Sequence, residues 1–330
     1  MRVVYMGTPD FAVPSLGALL RSSHEVVGVV TQPDRPKGRR NTLTPPPVKL
    51  VCRRAGLPCV QPTKMKDPAF LDQLKAWKPD LIAVAAFGRI LPPVILSLPP
   101  KGCVNVHGSL LPKYRGAAPI QWAIINGERE TGITTMLMDE GMDTGAILLQ
   151  APVPIAPDDT AGSLSPTLAE VGARLLIDTL AGLEAGRLTP RKQDDGLATM
   201  APLLKKEDGL IDWSLSASAI ANRVRGLSPW PGAYTFAGED RWTITHAVAA
   251  EGTSALSTAS PGLLPGTVPG TVVDATKQGL FVATGQGVVA IQELQPASGK
   301  CMTAAQYLAG HRLAPGLRLG PGRQRDQPQS

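Results

Sequence analysis

Apolar and amphipathic segments alternate along the first third of the 330-residue chain. The apolar runs are short and have no polar side, which is typical of strands buried on both faces of a parallel sheet. We predict these strands at residues 3–6, 26–31 and 81–85, and a further short strand at 104–106. Helical spacing of apolar residues predicts helices at 9–20, 48–55 and 70–77. This order predicts an α/β fold with a doubly wound, Rossmann-like parallel sheet.

The pattern changes after about residue 150. A long helix is predicted over 160–183, and a polar connector follows it. Beyond residue 208 a helix at 217–224 precedes short β-like segments that are separated by Gly and Pro. These segments lie at 233–236, 242–248, 270–273, 280–284 and 288–294. Such strands at this spacing predict a small, OB-like β-barrel.

Domain boundaries follow from these patterns. We predict an N-terminal domain over 1–189, a linker over 190–207 and a C-terminal barrel over 208–314. Residues 252–270 are rich in Ser, Thr, Gly and Pro, which predicts a flexible surface loop. Residues 315–330 have little to bury, and we expect this tail to be disordered.

Composition excludes several classes of protein. With 43% hydrophobic and 18% charged residues, the chain is neither disordered nor fibrous. Its four cysteines form no C-x-x-C pair, which argues against a zinc ribbon or a disulfide scaffold. An acidic residue at Asp10 interrupts any signal-peptide core, and no apolar run is long enough to span a membrane. We therefore expect a soluble, cytosolic protein.

Positive charge is concentrated near the N-terminus. The chain has a net charge of +6, and residues 1–60 hold nine Lys and Arg against three acids. Four of these cations, Arg35, Lys37, Arg39 and Arg40, lie in a stretch rich in Pro and Gly. A mobile basic loop of this kind suits contact with a phosphate backbone. A solvated surface face is the simpler alternative, and it stays open.

Asn105 and His107 are the first candidates for a catalytic site. They lie two residues apart at the end of a predicted strand, so both side chains leave the same side of it. An amide and an imidazole then meet at a carboxyl edge, where parallel sheets bind ligands. Cys103 and His107 could form half of a metal site, but no second pair lies nearby, so we predict no metal.

A cluster of acids supplies the third candidate. Asp139, Glu140 and Asp143 fall within five positions, between glycines that allow a tight turn. A polar turn with helix-capping acids explains the cluster taken alone. Together with Asn105 and His107, Asp143 could instead orient the imidazole and hold its proton.

The sequence lacks the motifs of other binding and catalytic sites that are common in this fold class. The turn after the first strand has one glycine, Gly7, where a dinucleotide-binding loop needs three. No Walker A sequence and no G-x-S-x-G nucleophile elbow occurs. A nicotinamide oxidoreductase and a serine hydrolase are therefore disfavoured.

Taken together, these motifs resemble a known family. Asn105-x-His107, the following stretch to Ile120 and the acidic turn at 139–145 resemble the 10-formyltetrahydrofolate-dependent formyltransferases. The stretches at 7–12 and 31–39 are similar to those of the branch that formylates methionyl initiator tRNA. The likeness runs from Met1 to about residue 310. The 252–270 segment is longer than its counterpart in members of this family, and the tail after Gly316 is an addition to the family's pattern.

This resemblance implies transfer of a formyl group from 10-formyltetrahydrofolate to the α-amine of methionyl initiator tRNA, by a monomer without a metal. Asn105 and His107 would stabilise an oxyanion, and Asp143 with a bound water would relay protons. The resemblance places the folate pocket at Ser109, Leu110, Leu111 and Pro112, and the pterin at Phe87, Gly88 and Leu91. It points to Arg39, in the basic loop, as the residue closest to the acceptor stem of the tRNA. By analogy with other small β-barrels, we expect the barrel domain to supply part of the RNA-facing surface.

Two alternatives remain at this point. A formyltransferase acting on a small amine, such as glycinamide ribonucleotide or a sugar nucleotide, would use the same three residues. It has no need of a basic loop or a second β domain. A nucleic-acid-binding module with a degenerate enzyme domain would have no reason to keep Asn105, His107 and Asp143 together.

Overall fold

The structure is a computed structural model that describes residues 1–37, 42–250, 266–311, 313 and 316–321. The chain forms two compact units. Unit 1 consists of Met1–Ile120, Glu130–Ile155 and Ser163–Leu203. Unit 2 consists of Gln121–Arg129, Ala156–Gly162 and the described residues from Leu204 onward.

The first 203 residues alternate between strands and helices. In chain order the elements are β1 (Arg2–Gly7), α1 (Val13–Arg21), β2 (Glu25–Val30), β3 (Arg35–Lys37), β4 (Thr42–Thr44), α2 (Pro47–Arg54), β5 (Cys59–Val60), α3 (Pro68–Trp77), β6 (Leu81–Ala85), α4 (Pro93–Leu96), β7 (Cys103–His107), β8 (Arg115–Gly116), α5 (Pro119–Ile125), β9 (Glu130–Leu137), β10 (Ile147–Pro154), α6 (Ala161–Glu184) and β11 (Met200–Ala201). Short 3-10 turns lie at Asp10–Ala12 and Asp195–Leu197.

Unit 1 is built on a seven-stranded sheet with the order β10-β9-β7-β6-β1-β2-β5. The five strands from β7 to β5 are parallel, which confirms the predicted Rossmann-like fold. Strand β9 runs antiparallel to both of its neighbours, and neither β9 nor β10 was predicted from the sequence. The chain runs from β1 outward to β5 and then returns to β6 on the other side of β1. A crevice therefore opens beyond the carboxyl ends of β1 and β6.

The predicted linker over 190–207 is not a free connection. As far as Leu203 it belongs to unit 1. Strand β11 pairs in parallel with β8, and the backbone N–H of Arg115 donates to the carbonyl of Thr199 at 2.8 Å. Polar composition alone does not distinguish such a docked segment from a linker, because its hydrogen bonds are made to residues about 80 positions away.

The predicted basic loop begins as a short antiparallel ribbon rather than an irregular segment. Strand β3 pairs with β4, and Pro36 lies opposite Leu43. A proline is tolerated in such an edge strand where its missing N–H faces away from the partner. Residues 38–41, which include Arg39 and Arg40, lie outside the described part of the chain.

Unit 2 contains most of the β structure after residue 204. Its further elements are a 3-10 turn (Lys206–Gly209), α7 (Ala217–Gly226), β12 (Ala233–Ala237), β13 (Asp240–Ala249), β14 (Val272–Thr276), β15 (Gly279–Ala283), β16 (Val288–Pro296), β17 (Met302–Thr303), α8 (Ala304–Gly310) and β18 (Leu319–Gly320). Ser216 caps the N-terminus of α7, because its hydroxyl accepts from the N–H of Ala219.

The strands of unit 2 curl into the predicted small barrel. The antiparallel order is β14-β15-β16-β13-β12-β18, and β17 pairs with β16. The segment around β18 also bonds to the start of β14, because the N–H of Val272 donates to Leu317 and that of Leu319 donates to Gly270. The last strand thus joins the two ends of the sheet.

Disorder from residue 315 onward was a wrong prediction for the segment that closes the barrel. Leu319 is 1% exposed, and Leu319 and Gly320 pair with β12. Two leucines in a short polar stretch give a weak signal, because the strands that cover them are distant in sequence. Residues 322–330 and 251–265 lie outside the described chain, so the expectations for the extreme tail and for most of the 252–270 segment stay untested.

Candidate active site

Asn105 and His107 lie on β7, between the parallel β6 and the antiparallel β9. Their side chains leave the same face of the strand, as predicted from their spacing. His107 is 5% exposed, and Asn105 is half-buried. The local sequence ends the strand here because Gly108 follows His107 and opens the turn that carries Ser109 to Pro112.

Asp143 reaches these two side chains from the acidic turn between β9 and β10. One carboxylate oxygen accepts from Nδ2 of Asn105 at 3.4 Å. The other accepts from the N–H of Gly116 at 2.9 Å and lies 3.5 Å from Nδ1 of His107. The structure therefore brings together the three residues that the sequence nominated for catalysis. Their roles in the reaction stay a prediction.

The second ring nitrogen of His107 is held by a backbone carbonyl. Nε2 of His107 lies 2.9 Å from the carbonyl oxygen of Tyr114. A carbonyl can only accept, so we assign a hydrogen to Nε2 from this contact. Nδ1 is consequently the ring atom that faces Asp143 and can exchange a proton with it.

The remaining acids of the turn have other surroundings. Asp139 accepts from the N–H of Gly141 at 3.0 Å and from the hydroxyl of Thr144 at 2.7 Å, so it shapes the turn. Glu140 is exposed. Gly145 is required because a Cβ there would lie 1.7 Å from the carbonyl oxygen of Leu137. The polar-turn interpretation therefore fits Asp139, whereas Asp143 points to the other candidates.

Sequence reasoning missed two residues that hold this turn. Gln193 donates to the carbonyl oxygens of Asp143 and Gly145, at 2.7 and 2.8 Å. Arg115 in turn donates to the side-chain oxygen of Gln193. Gln193 lies in what looked like a polar linker, and no local pattern marks it as buried.

The predicted pterin residues lie at the crevice beyond β6. The carbonyl of Phe87 accepts from the hydroxyl of Thr8 at 3.2 Å and from the amide of Gln32 at 3.1 Å. Gln32 also donates to the carbonyl of Gly88 at 3.3 Å. Phe87 and Leu91 are both 3% exposed and pack into the core of unit 1. Gly88 has φ +74°, where glycine is favoured.

A cavity of about 550 Å³ lies beside this loop. Its volume falls in the range of small-molecule sites, about 300–1,000 Å³. Of the predicted folate residues, Leu91 lines this cavity. The remaining lining residues are Lys64, Met65, Lys66, Ile90, Pro92, Pro93 and Glu140. The cavity thus combines an apolar wall with charged side chains and adjoins the acidic turn through Glu140.

The other predicted folate residues form the turn after β7. The carbonyl of Ser109 accepts from the hydroxyl of Thr134 at 2.7 Å, and that hydroxyl accepts from the N–H of Leu111 at 3.0 Å. Ser109 and Leu111 are buried, whereas Leu110 and Pro112 are partly exposed. This turn is therefore rigidly held next to His107.

An ion pair anchors the base of the ribbon that β3 and β4 form, which we call the basic ribbon. Lys49 donates to the carboxylate of Asp34 at 2.7 Å, and the amide of Gln61 donates to it at 2.8 Å. These hydrogen bonds, the one from Lys49 most of all, hold the pKa of Asp34 below its usual range. Arg35 is exposed next to this anchor. The positions of Arg39 and Arg40 lie outside the described residues.

Among the described residues no group of three or more His, Cys, Asp or Glu side chains is arranged to hold a metal ion. The helices formed by the same residues are all too short or too polar to cross a membrane.

Two family models match the chain. The formyl transferase model matches residues 1–180, and the model of the formyl transferase C-terminal domain matches residues 203–312. The first match contains the whole cluster of Asn105, His107 and Asp143.

Relatives with established names extend over nearly the entire chain. The chain is 51% identical to the methionyl-tRNA formyltransferase of Trichlorobacter lovleyi, with 97% of each chain covered. It is 50% identical to the protein of the same name from Pelotomaculum thermopropionicum, covering 97% of this chain and 99% of that one.

Solved structures share the fold at low identity. An N-formyltransferase from Helicobacter canadensis, in complex with folinic acid and dTDP-3-aminofucose, matches with a TM-score of 0.62 and 17% identity. The match covers 88% of this chain and 98% of that one.

Proposed function

Because this chain belongs to the formyl transferase family, we propose that it transfers the formyl group of 10-formyltetrahydrofolate to the α-amino group of methionyl initiator tRNA. The product is N-formylmethionyl-tRNA, which serves translation initiation. Relatives of about 50% identity over nearly the whole chain carry the name of this activity. The observation that carries the proposal at the site is the Asp143 carboxylate, held between Asn105 and His107.

The chemistry requires one bond to form and one to break. The amine nitrogen of methionine bonds to the formyl carbon, and the bond from that carbon to the folate nitrogen breaks. The amine loses a proton and the folate nitrogen gains one. While the carbon is tetrahedral, negative charge collects on the formyl oxygen and needs hydrogen-bond donors.

Asn105 and His107 supply those donors in our proposal. Nδ2 of Asn105 carries two hydrogens, and its bond to Asp143 uses only one of them. Nε2 of His107 is engaged by Tyr114, so Nδ1 is the ring atom that serves the reaction, and it donates to the oxyanion when the ring carries a hydrogen on both nitrogens. Asp143, with a bound water, accepts the proton of the attacking amine and passes it towards the leaving nitrogen.

The folate donor fits the crevice next to this cluster. The backbone around Phe87 and Gly88 supplies polar groups, and the cavity beside Leu91 supplies an apolar wall for a flat ring. The turn from Ser109 to Pro112 bounds the other side of the reacting group. Solved relatives of the same fold were obtained with folinic acid or tetrahydrofolic acid bound, which supports this assignment.

The acceptor is a nucleic acid in this proposal. Arg35, Lys37, Arg39 and Arg40 contact its phosphates, and the barrel over 208–314 contributes further RNA-facing surface. Small β-barrels often bind oligonucleotides, which is an argument from fold alone. We further propose that the protein acts as a monomer in the cytosol, where charged initiator tRNA meets the ribosome.

A comparison of acceptors tests the proposed function. Full-length protein with 10-formyltetrahydrofolate is given methionyl initiator tRNA, glycinamide ribonucleotide or an amino-sugar nucleotide. We expect kcat/KM for methionyl-tRNA to exceed that for either small amine by at least about 10²-fold. Equal or faster transfer to a small amine contradicts the acceptor. Absence of transfer to all three favours a binding module with a degenerate enzyme domain.

A further inference from the structure

Gln193 is a buried amide whose four hydrogen-bonding positions are all used. It is 4% exposed. Its Nε2 donates to the backbone carbonyls of Asp143 and Gly145, at 2.7 and 2.8 Å. Its Oε1 accepts from Nε and Nη2 of Arg115, at 3.0 and 2.8 Å. An amide has two hydrogens and two acceptor lone pairs, so this arrangement satisfies it completely.

Arg115 fixes which way the Gln193 amide points. A guanidinium can only donate, so the amide oxygen must face it and the NH₂ group must face the acidic turn. Arg115 is 7% exposed, and its Nη2 also donates to Asp195 at 2.8 Å. The residue after it, Gly116, donates its N–H to the carboxylate of Asp143. Arg115 therefore supports Asp143 indirectly, through Gln193, and Gly116 supports it by a direct hydrogen bond.

The backbone of Asp143 needs such support. Its φ is +54°, in the left-handed region that residues other than glycine seldom adopt. Gln193 binds the carbonyls on either side of Thr144 and so fixes the turn that holds this conformation. With the backbone fixed, the contacts to Asn105 and Gly116 set the direction of the carboxylate.

We infer that Gln193, itself oriented by Arg115, is a positioning residue that holds the Asp143 carboxylate at its distance from His107. The inference rests on the proposed function, because it matters only if Asp143 takes part in formyl transfer. Gln193 contributes through the geometry of the turn and makes no contact of its own with the reacting atoms. Its removal should lower kcat and leave substrate binding nearly intact.

Two substitutions separate the amide donors from the rest of the side chain. Gln193→Leu keeps similar bulk and removes all four hydrogen bonds. Gln193→Glu keeps an acceptor for Arg115 but turns a carboxylate oxygen towards the two carbonyls, so the donors alone are lost. We expect both to lower kcat about 10- to 100-fold, as loss of an orienting partner does elsewhere. KM for both substrates should change less than about threefold.

Thr179→Val is the matched control for lost stability. Thr179 is completely buried in unit 1 and bonds to Thr135 and to the carbonyl of Leu175. Its loss removes buried hydrogen bonds away from the acidic turn. We expect it to lower the melting temperature and to leave kcat within about twofold of wild type, which separates instability from misplacement.

A double-mutant cycle with Asp143→Asn decides the inference. Asparagine tolerates a left-handed backbone and keeps the size of aspartate. If Gln193 acts through the Asp143 carboxylate, Gln193→Leu should lower kcat less than about threefold further in the Asp143→Asn background. The same loss in both backgrounds, or wild-type kcat for both Gln193 variants, overturns the inference. Wild-type turnover by Asp143→Asn alone overturns the proposed site and the inference with it.

Discussion

Nε2 of His107 lies 2.9 Å from the carbonyl oxygen of Tyr114, seven residues further along the chain. This contact assigns a proton to Nε2 and leaves Nδ1 facing Asp143 at 3.5 Å. The ring is therefore oriented by the backbone of the turn that follows β7, as well as by the carboxylate. Tyr114 itself has φ +62°, so the chain is bent into the left-handed region where it supplies this carbonyl.

Gln32 gives the first prediction, which concerns binding of the formyl donor. Its amide donates to the carbonyls of Phe87 and Gly88, and it is 6% exposed. Gln32→Leu leaves both carbonyls without this donor, so the loop loses a defined position. We expect KM for 10-formyltetrahydrofolate to rise about tenfold, which corresponds to about 1.4 kcal/mol for the loss of these two hydrogen bonds. Steady-state kinetics should show kcat within about threefold of wild type. An unchanged KM contradicts the pterin assignment.

The Asp34–Lys49 anchor gives a prediction about pH. Because hydrogen bonds from Lys49 and Gln61 lower the pKa of Asp34 in the folded protein, the anchor contributes stability above the unfolded-state pKa. This contribution is lost as the pH falls through the folded-state value. Urea unfolding should show wild type more stable than Asp34→Asn at pH 7, with the difference shrinking below about pH 4. A difference that grows towards acid pH would contradict this account.

Arg39 gives a prediction about the RNA backbone. Arg39→Ala should weaken binding of methionyl-tRNA and reduce the slope of log affinity against log salt by about one phosphate contact. Folate affinity should not change. Arg187→Ala is the matched control, because Arg187 is an exposed arginine of unit 1 and its removal changes the net charge equally. If the two variants give equal salt slopes, the basic ribbon is only a solvated surface.

The strand that closes the barrel gives a prediction about stability. A chain that ends at Pro315 lacks β18, whereas a chain that ends at Pro321 keeps it. Loss of a buried leucine alone costs about 2–5 kcal/mol, so the shorter chain should melt several degrees lower. The chain ending at Pro321 should melt like wild type. Equal melting temperatures for both truncations would show that β18 does not hold the barrel.

Local patterns were enough to predict the framework of unit 1. Strands β1, β2 and β6 contain uninterrupted apolar runs, β7 has valines on either side of Asn105, and the helices between the strands repeat apolar residues at helical spacing. Asn105 and His107 could be paired from their spacing alone, since period two on a strand fixes their common face. Asp143 was nominated by its place in a turn rich in acids and glycines.

Residues whose partners are distant in sequence could not be predicted in this way. Gln193 binds carbonyls about 50 positions earlier, and Leu319 is covered by strands that begin about 50 to 90 positions before it. Pro36 argued against a strand, because its fit depends on the partner that faces it. In each case the deciding contact is tertiary, so the residue looks like an ordinary polar or loop position.

The most direct test of the account is the turnover of His107→Ala with 10-formyltetrahydrofolate and methionyl initiator tRNA. His246→Ala is the matched control, because His246 lies on β13 of the barrel, in unit 2. Circular dichroism should show that both variants are folded. We predict that kcat of His107→Ala falls at least about 10²-fold, while His246→Ala keeps wild-type kcat. Near-wild-type turnover by folded His107→Ala would contradict the proposed site.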